Sequence, residues 1–465
     1  MPQHIYGPTF EEMLHPDRIP GDIRPQALTA LEEAPLDPIN LFNITWKDPE
    51  DRVRYIVLEK ALTGVDANIV VLYGKDFPTG SHKVGATYSV AMEKQLQGEI
   101  EPGAHTLVWP STGNYGIGGA WVGPRLGYRS VVVLPEMMSR ERFDRIESYG
   151  ATYIATPGCE SNVKEIYDAC KDLAKQGEIR VLNQFEAMAN YRFHYYVTGH
   201  SVVEAVRELA AGVGGADGIG DGRVAAFVSA MGSAGTIAAG DLLKQRFATR
   251  IVGLEPIQCP TLFMNGYGGH DIQGIGDKHV TWIHNVLNMD ALVCVDDIAS
   301  KKGLQLFSEP AGRDYLVNEA GVSPEQAGQL ATHFGISGVA NVIGAIKTAK
   351  FYGLGPEANV VTIATDGLDR YPSVMADLAR THGAVTRERA AAYVEAIFHG
   401  AKLDWIQEGD RLNRQRWFNL KYYTWVEQQG KTVSELDAQR DPAWWEGHQQ
   451  EVAVFDRCLR QARGF

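Results

Sequence analysis

The feature that most limits this chain is a rhythm. From residue 67 onward, short runs rich in Val, Ile and aromatic residues alternate with longer helical stretches. NIVVLYG (68–74), HTLVWP (105–110), SVVVLP (130–135), ATYIAT (151–156), VAAFVSAM (224–231), RIVGLEP (250–256) and NVVTIATD (359–366) are the strand candidates. Each is a continuous apolar run, as parallel strands covered on both faces require. Stretches such as SNVKEIYDACKDLAKQG and TIAAGDLLKQRF fill the gaps with helical spacing. Alternation of this kind predicts an α/β fold with parallel sheets. Beyond about residue 380 the strand signals stop, and residues 385–465 read as helical. There RLNRQRWFNLKYYTWVEQQG is expected to form one amphipathic helix ending at Gly430. Trp405, Trp417, Trp425, Trp444 and Trp445 of this tail read as packing residues. Residues 1–50 are rich in Pro and read as an arm over the surface.

Composition narrows the function classes. The 465 residues carry 44 Lys+Arg and 57 Asp+Glu, a net charge of −13, which argues against a general nucleic-acid binder. No basic region leads into an apolar stretch near residue 1, and no run of about 18 apolar residues occurs. Five scattered cysteines, none in a CxxC pair, predict neither a zinc cluster nor a disulfide framework, and a reducing cytoplasm is the expected compartment. No metal site is expected. Glycine is in excess, at 49 residues, without a repeat period.

Three loops at strand ends gather that glycine, where α/β folds place ligands. In FPTGSHKVGATY, Lys83 opens a helix, an awkward place for a cation beside the helix dipole unless the amine is neutral or condensed with an aldehyde. In WPSTGNYGIGG (109–119), small and polar residues expose backbone N–H groups at a helix start, suited to a carboxylate. In SAMGSAGTIAAG (229–240), Gly232, Ser233, Ala234, Gly235 and Thr236 lie between strand and helix and suit a phosphate dianion. The last is neither a Walker A loop nor GxGxxG, which sets a dinucleotide-binding dehydrogenase aside.

A lysine, a carboxylate loop and a phosphate cradle on one scaffold describe a pyridoxal-phosphate site. From about residue 68 to 372 the chain resembles the fold-type II pyridoxal-phosphate enzymes (tryptophan synthase β-like), in the cysteine synthase and cystathionine β-synthase branch. TGSHK resembles the Schiff-base lysine motif, STGNYG the family's TSGNTG, and GSAGT its GTGGT phosphate loop. LPEMMSRERF, NQFEAMANYRFHYYVTG (183–199), GIG (274–276), GISGVAN (335–341) and TDGLDRY (365–371) follow in the family's order. The resemblance implies a two-lobed fold. Residues 1–85 would be the arm and part of the large lobe, 86–195 a smaller mobile lobe, 196–380 the rest of the large cofactor-binding lobe, and 381–465 a helical extension.

The resemblance also implies roles. Lys83 holds pyridoxal 5'-phosphate as a Schiff base, is then released as the base for the α-proton, and for this needs a depressed pKa. Asn114 holds the ring O3′, and Gly232 to Thr236 hold the phosphate. Ser111, Thr112, Gly113 and Gln184 bind the substrate carboxylate, and Gly274 approaches the cofactor's edge. Four departures qualify this picture. KVGA replaces the cysteine synthases' KDR after the lysine. Tyr115 replaces a Thr and adds bulk or a phenol on the carboxylate side. Trp109-Pro110 stands where tryptophan synthases carry an acid, which argues against tryptophan synthesis although His82 completes their GSHK and is expected at the phosphate. The fourth departure is at the pyridine nitrogen. The branch uses a Ser, alignment back from Arg370-Tyr371 puts Gly367 there, and Thr365 is the expected partner with Asp366 the alternative. His279, in the triplet after GIG, is expected at the substrate side chain.

The expected activity is β-elimination or β-replacement on a β-substituted amino acid through an aminoacrylate. Dehydration or deamination of a hydroxyamino acid to a keto acid is the alternative, and a non-catalytic regulatory homologue a remote one. The expected partners are a small amino-acid substrate and a second copy of the chain, as family members are usually dimers, with no nucleic acid and no membrane.

Overall fold

The computed structural model describes residues 4–111, 113–159, 161–212, 218–275 and 278–464. Among these residues, eleven strands form two sheets. The strands are β1 (Tyr55–Leu58), β2 (Asn68–Tyr73), β3 (Thr106–Pro110), β4 (Arg129–Pro135), β5 (Thr152–Thr156), β6 (Ile179–Val181), β7 (Ala226–Ala230), β8 (Arg250–Pro256), β9 (Ala291–Val295), β10 (Asn359–Ala364) and β11 (Ile406–Glu408). The larger sheet runs β1-β2-β10-β7-β8-β9-β11 and the smaller β5-β4-β3-β6. The smaller sheet is wholly parallel. The larger is parallel except at its rims, where β1 pairs antiparallel with β2 and β11 with β9.

The seven runs predicted as strands are all strands, within two residues at each end. Central β10 is buried at all six positions, which explains its unbroken apolar reading. Edge strand β5 is exposed at its first four. Four strands escaped the sequence reading. β6 and β11 are three residues long and partly polar, and β1 is a four-residue rim strand. β9, ALVCV, is fully buried and is a true omission. β11 also corrects the expectation that strands end before residue 380.

The tail differs from one continuous helix. Arg411–Asn419 and Lys421–Trp425 are separate helices with Leu420 between them. Trp417, Trp425 and Trp445 are buried, as packing residues should be. Their indole N–H groups donate to Gln407 Oε1, to the Val280 carbonyl and to the Gln439 carbonyl at 3.0, 2.8 and 2.9 Å, satisfying each buried donor. The tail reaches across to the helix Val163–Leu173 beside the smaller sheet. Lys171 Nζ donates to the Gln428 carbonyl at 2.9 Å, and Tyr167 stands edge-on to Trp425.

The arm is ordered by local chemistry. Thr9 and Glu12 form a reciprocal capping box on the helix Phe10–Leu14. The same helix end is capped from far along the chain. Asp456 accepts from the N–H of Phe10 at 2.7 Å and of Glu11 at 3.0 Å, so the arm and the long tail helix Pro442–Ala462 lie together. Among the described residues, no helix is long and apolar enough to cross a membrane.

Candidate active site

β2, β10 and β7 are adjacent and parallel, so their carboxyl ends deliver three loops to one place. The loop after β2 ends in Ser81, His82 and Lys83, and Lys83 is the first residue of the helix Lys83–Leu96. The loop after β10 carries Thr365 and Asp366, and Asp366 bridges to Ser81. The loop after β7 carries Gly232 to Thr236, ahead of the helix Ala239–Phe247. A fourth loop comes from the smaller sheet. After β3, Ser111 and Gly113 lead into the helix Asn114–Arg125. Thr112 lies outside the described residues, as do Gly276 and Asp277.

Lys83 and the glycine loop meet directly. Lys83 Nζ lies 3.4 Å from Ser233 Oγ. Ser233 Oγ also accepts from Asn190 Nδ2 at 3.1 Å, and that amide reaches the Gln184 carbonyl at 3.0 Å. Ala234 holds φ +58, a left-handed conformation that non-glycine residues seldom adopt, and such strain gathers at ligand-binding turns. Gly235 has no room for a side chain, because a Cβ would stand 2.1 Å from Asn190 Oδ1.

His82 is fully buried against Trp46, with ring centroids 5.3 Å apart, and edge-on to His194. Its Nε2 lies 3.1 Å from Thr236 Oγ1 and its Nδ1 3.5 Å from the Thr365 carbonyl. Burial, with the neighbouring Lys83 charge, pulls its pKa down to about 3. The ring is therefore neutral at pH 7. With Nδ1–H donating to Thr365, Nε2 accepts the Thr236 hydroxyl. His82 thus orients the glycine loop through Thr236.

On the other wall, Ser111 Oγ accepts from the N–H groups of Gly113 at 2.9 Å and Gly116 at 2.8 Å, which fixes the turn. Asn114 is buried, and its Nδ2 donates to Asp366 Oδ2 at 2.6 Å. Gln184 donates to the Pro110 carbonyl at 3.2 Å. Tyr115 points into the core, donating its phenol to the Leu182 carbonyl at 3.1 Å beside Trp109. Its ring is spent on packing. Gly274 holds φ +104, and a Cβ there would stand 3.9 Å from both Asn114 Nδ2 and Ser337 Oγ. His279 sits among Tyr167, Phe185 and Trp425, with Nε2 3.2 Å from the Tyr167 hydroxyl. Burial pulls its pKa down to about 4.

Sequence reasoning missed three polar residues here. Asn190 bridges Ser233 and Gln184. Ser337 presents a buried hydroxyl beside Gly274. Arg142 is buried with its Nη1 in the space a Gly113 side chain would take, and its Nη2 donates to the Tyr371 hydroxyl at 3.1 Å. All three stand in the segments MMSRERF, NQFEAMANYRF and GISGVAN. A polar group between non-polar neighbours was the available signal for Asn190 and Ser337, whereas Arg142 follows Glu141 in a charged run that reads as a solvated helix face.

The family described as pyridoxal-phosphate dependent enzyme matches residues 74–366. The chain belongs to this family. It is a fold-type II enzyme of the cysteine synthase and cystathionine β-synthase branch, and pyridoxal phosphate is its cofactor. A cysteine synthase of Staphylococcus aureus (strain N315) is 29% identical over 345 residues, covering 74% of this chain and 97% of the relative. A probable cysteine synthase of Bacillus subtilis (strain 168) is 30% identical over 299 residues, covering 64% and 85%. Among solved structures, a hydrogen sulfide-producing enzyme in complex with an α-aminoacrylate intermediate has a TM-score of 0.55 at 26% identity, covering 66% of this chain and 83% of that one. A cysteine synthase of Entamoeba histolytica has a TM-score of 0.58 at 21% identity, covering 73% and 92%, and shows the fold alone.

The residues of this pyridoxal-phosphate enzyme fit the cofactor. Asn114 Oδ1, Asn190 Oδ1 and Ser337 Oγ are buried without a hydrogen-bond partner. Buried polar atoms are seldom left so, and of the three the Ser337 hydroxyl can donate to a ligand that offers acceptors between these loops.

Proposed function

We propose that this enzyme eliminates or replaces the β-substituent of a small amino acid, with Lys83 as the attachment point and base; its likeness to proteins named cysteine synthase supports this reading. The observation that carries this reading is the 3.4 Å approach of Lys83 Nζ to Ser233, which joins the lysine and the glycine loop in one space. Bound pyridoxal phosphate supplies an aldehyde that condenses with amines and an electron sink for the α-carbon.

The chain's own groups do the rest. The N–H groups of Gly232 to Thr236 hold the phosphate, with Ser233 and Thr236 hydroxyls beside them. His82, neutral, keeps Thr236 in place without adding a second cation next to Lys83. Asn114 faces the ring oxygen. Ser111, Thr112, Gly113 and Gln184 receive the substrate carboxylate. Its negative charge suits the amino end of the helix Asn114–Arg125. Lys83 would hold the cofactor at Nζ and, once free of it, take the α-proton at that same atom. His279 faces the substrate side chain from the loop after Gly274. The unit 86–195 closes over bound substrate and excludes water. We place the enzyme in the cytoplasm as a dimer.

The test is turnover of O-acetylserine, serine, cysteine and threonine with and without sulfide. A new amino acid formed only with sulfide marks replacement, and keto acid with ammonia marks elimination. Lys83→Ala is expected to lose turnover and the visible Schiff-base absorbance together. If the variant keeps either, Lys83 is not the attachment point.

A further inference from the structure

The loop after β10 departs from the branch at the position that faces the pyridine nitrogen, and its geometry is specific. Side chains alternate sides along an extended backbone. Gly367 is extended, and a Cβ there would meet the Thr332 carbonyl, Lys75 and Asp369, on the outside. The Thr365 carbonyl faces His82, and a Cβ on Gly74 would stand 2.8 Å from it. Asp366, between them, turns inward and is fully buried. Its Oδ2 accepts from Asn114 Nδ2 at 2.6 Å and from the Tyr371 hydroxyl at 2.9 Å. Arg370 Nε stands 3.8 Å away, and Arg142 reaches the carboxylate through Tyr371. Gly335 lacks a side chain where Asp366 Oδ1 sits, 2.0 Å from where a Cβ would be. Asn114, Tyr371, Arg142 and Gly335 therefore converge on one inward-facing carboxylate.

We propose that Asp366 pairs with the pyridine nitrogen of the cofactor and keeps that nitrogen protonated, in place of the hydroxyl the branch uses. This rests on the cofactor lying between Lys83 and Asn114 as set out above. A carboxylate accepts a proton-bearing nitrogen and stabilises its positive charge, whereas a hydroxyl leaves the nitrogen neutral. A protonated ring draws electrons from the α-carbon more strongly, so this enzyme exchanges the substrate's α-hydrogen with solvent more readily than a hydroxyl-type relative. Tyr371 and Arg142 are positioning residues here, since they hold the carboxylate without touching the ring.

The decisive measurement is the nitrogen NMR signal of the holoenzyme reconstituted with ring-15N pyridoxal phosphate. Wild type is expected to show a protonated nitrogen, and Asp366→Asn a neutral one, with the Schiff-base absorbance present in both. A neutral nitrogen in wild type overturns the proposal and returns the role to a hydroxyl, Ser337 or Thr365. A nitrogen still protonated in Asp366→Asn overturns it equally. If that variant does not fold, a crystal structure of the wild-type holoenzyme decides, and a carboxylate beyond hydrogen-bond reach of the ring nitrogen refutes the pairing. Failure of the site itself reads differently, as loss of the Schiff base in wild type or its persistence in Lys83→Ala.

Discussion

His82 makes the acid stability of this fold calculable. In the unfolded chain its imidazole takes up a proton as pH falls through the ordinary value of 6.5, while in the folded chain burial delays this to about 3. The unfolded state therefore binds the extra proton between those values. The stability is full above 6.5 and is lost progressively as pH falls toward 3. Between pH 7 and about pH 4.5 the single group is worth about 2.5 kcal/mol, from a pKa difference of about 3.5. The perturbation is His82→Asn, which keeps an amide donor but cannot titrate. The assay is urea unfolding of the cofactor-free chain at both pH values, followed by tryptophan fluorescence. The cost of the substitution itself cancels within each protein, and the other histidines lowered by burial, among them His194, His279 and His284, titrate in both proteins. Wild type should lose about 2.5 kcal/mol more than the variant on acidification. Equal losses would refute the reading of His82 as a buried neutral ring beside the lysine.

Two further outcomes are expected from packing. Gly235→Ala places a methyl 2.1 Å from Asn190 Oδ1, and overpacking of about 1–3 kcal/mol should loosen the Ser233 contact. Equilibrium titration with pyridoxal phosphate should show affinity weakened roughly 5- to 150-fold, and unchanged affinity would mean that this loop does not hold the phosphate. Trp425→Ala should destabilise the chain by about 3–5 kcal/mol and speed proteolysis within 411–440. Trp425→Phe, which forfeits the bond to Val280 and part of the buried ring volume, should cost less, about 1–3 kcal/mol.

Strands buried on both faces announced themselves. β2, β3, β4, β7, β8 and β10 are apolar because helices or other strands cover them, and that requirement is written in composition. The three glycine-rich loops were legible for a similar reason, since few residues tolerate close backbone approach or a bound anion. Three-residue β6 and β11 were not, because pairing at a rim needs no apolar run. The tail's break at Leu420 was hidden because Trp417, Phe418, Lys421 and Trp425 keep helical spacing across it, and only the structure shows Lys421 turned inward to the Trp282 carbonyl. At the site, type and spacing picked out Lys83 and Asn114. Direction was out of reach. That Tyr115 points into the core, that Asp366 faces inward while Gly367 faces out, and that Arg142 fills the gap left by Gly113 are matters of rotamer and of register between segments distant in the chain, 252 positions for the Asp366–Asn114 pair.

The capping of Phe10 by Asp456 has a consequence in time. The two residues are 446 positions apart in the chain. At synthesis rates of about 5–20 residues per second, the first turn of that helix waits roughly 20–90 s for its distant acceptor to emerge. Until then its N–H groups are held by water and the local Thr9 box alone, and its apolar face has no tail helix to lie against. The helix Phe10–Leu14 is thus made well before it is secured, and the interval sets how long a nascent chain of this enzyme needs protection there.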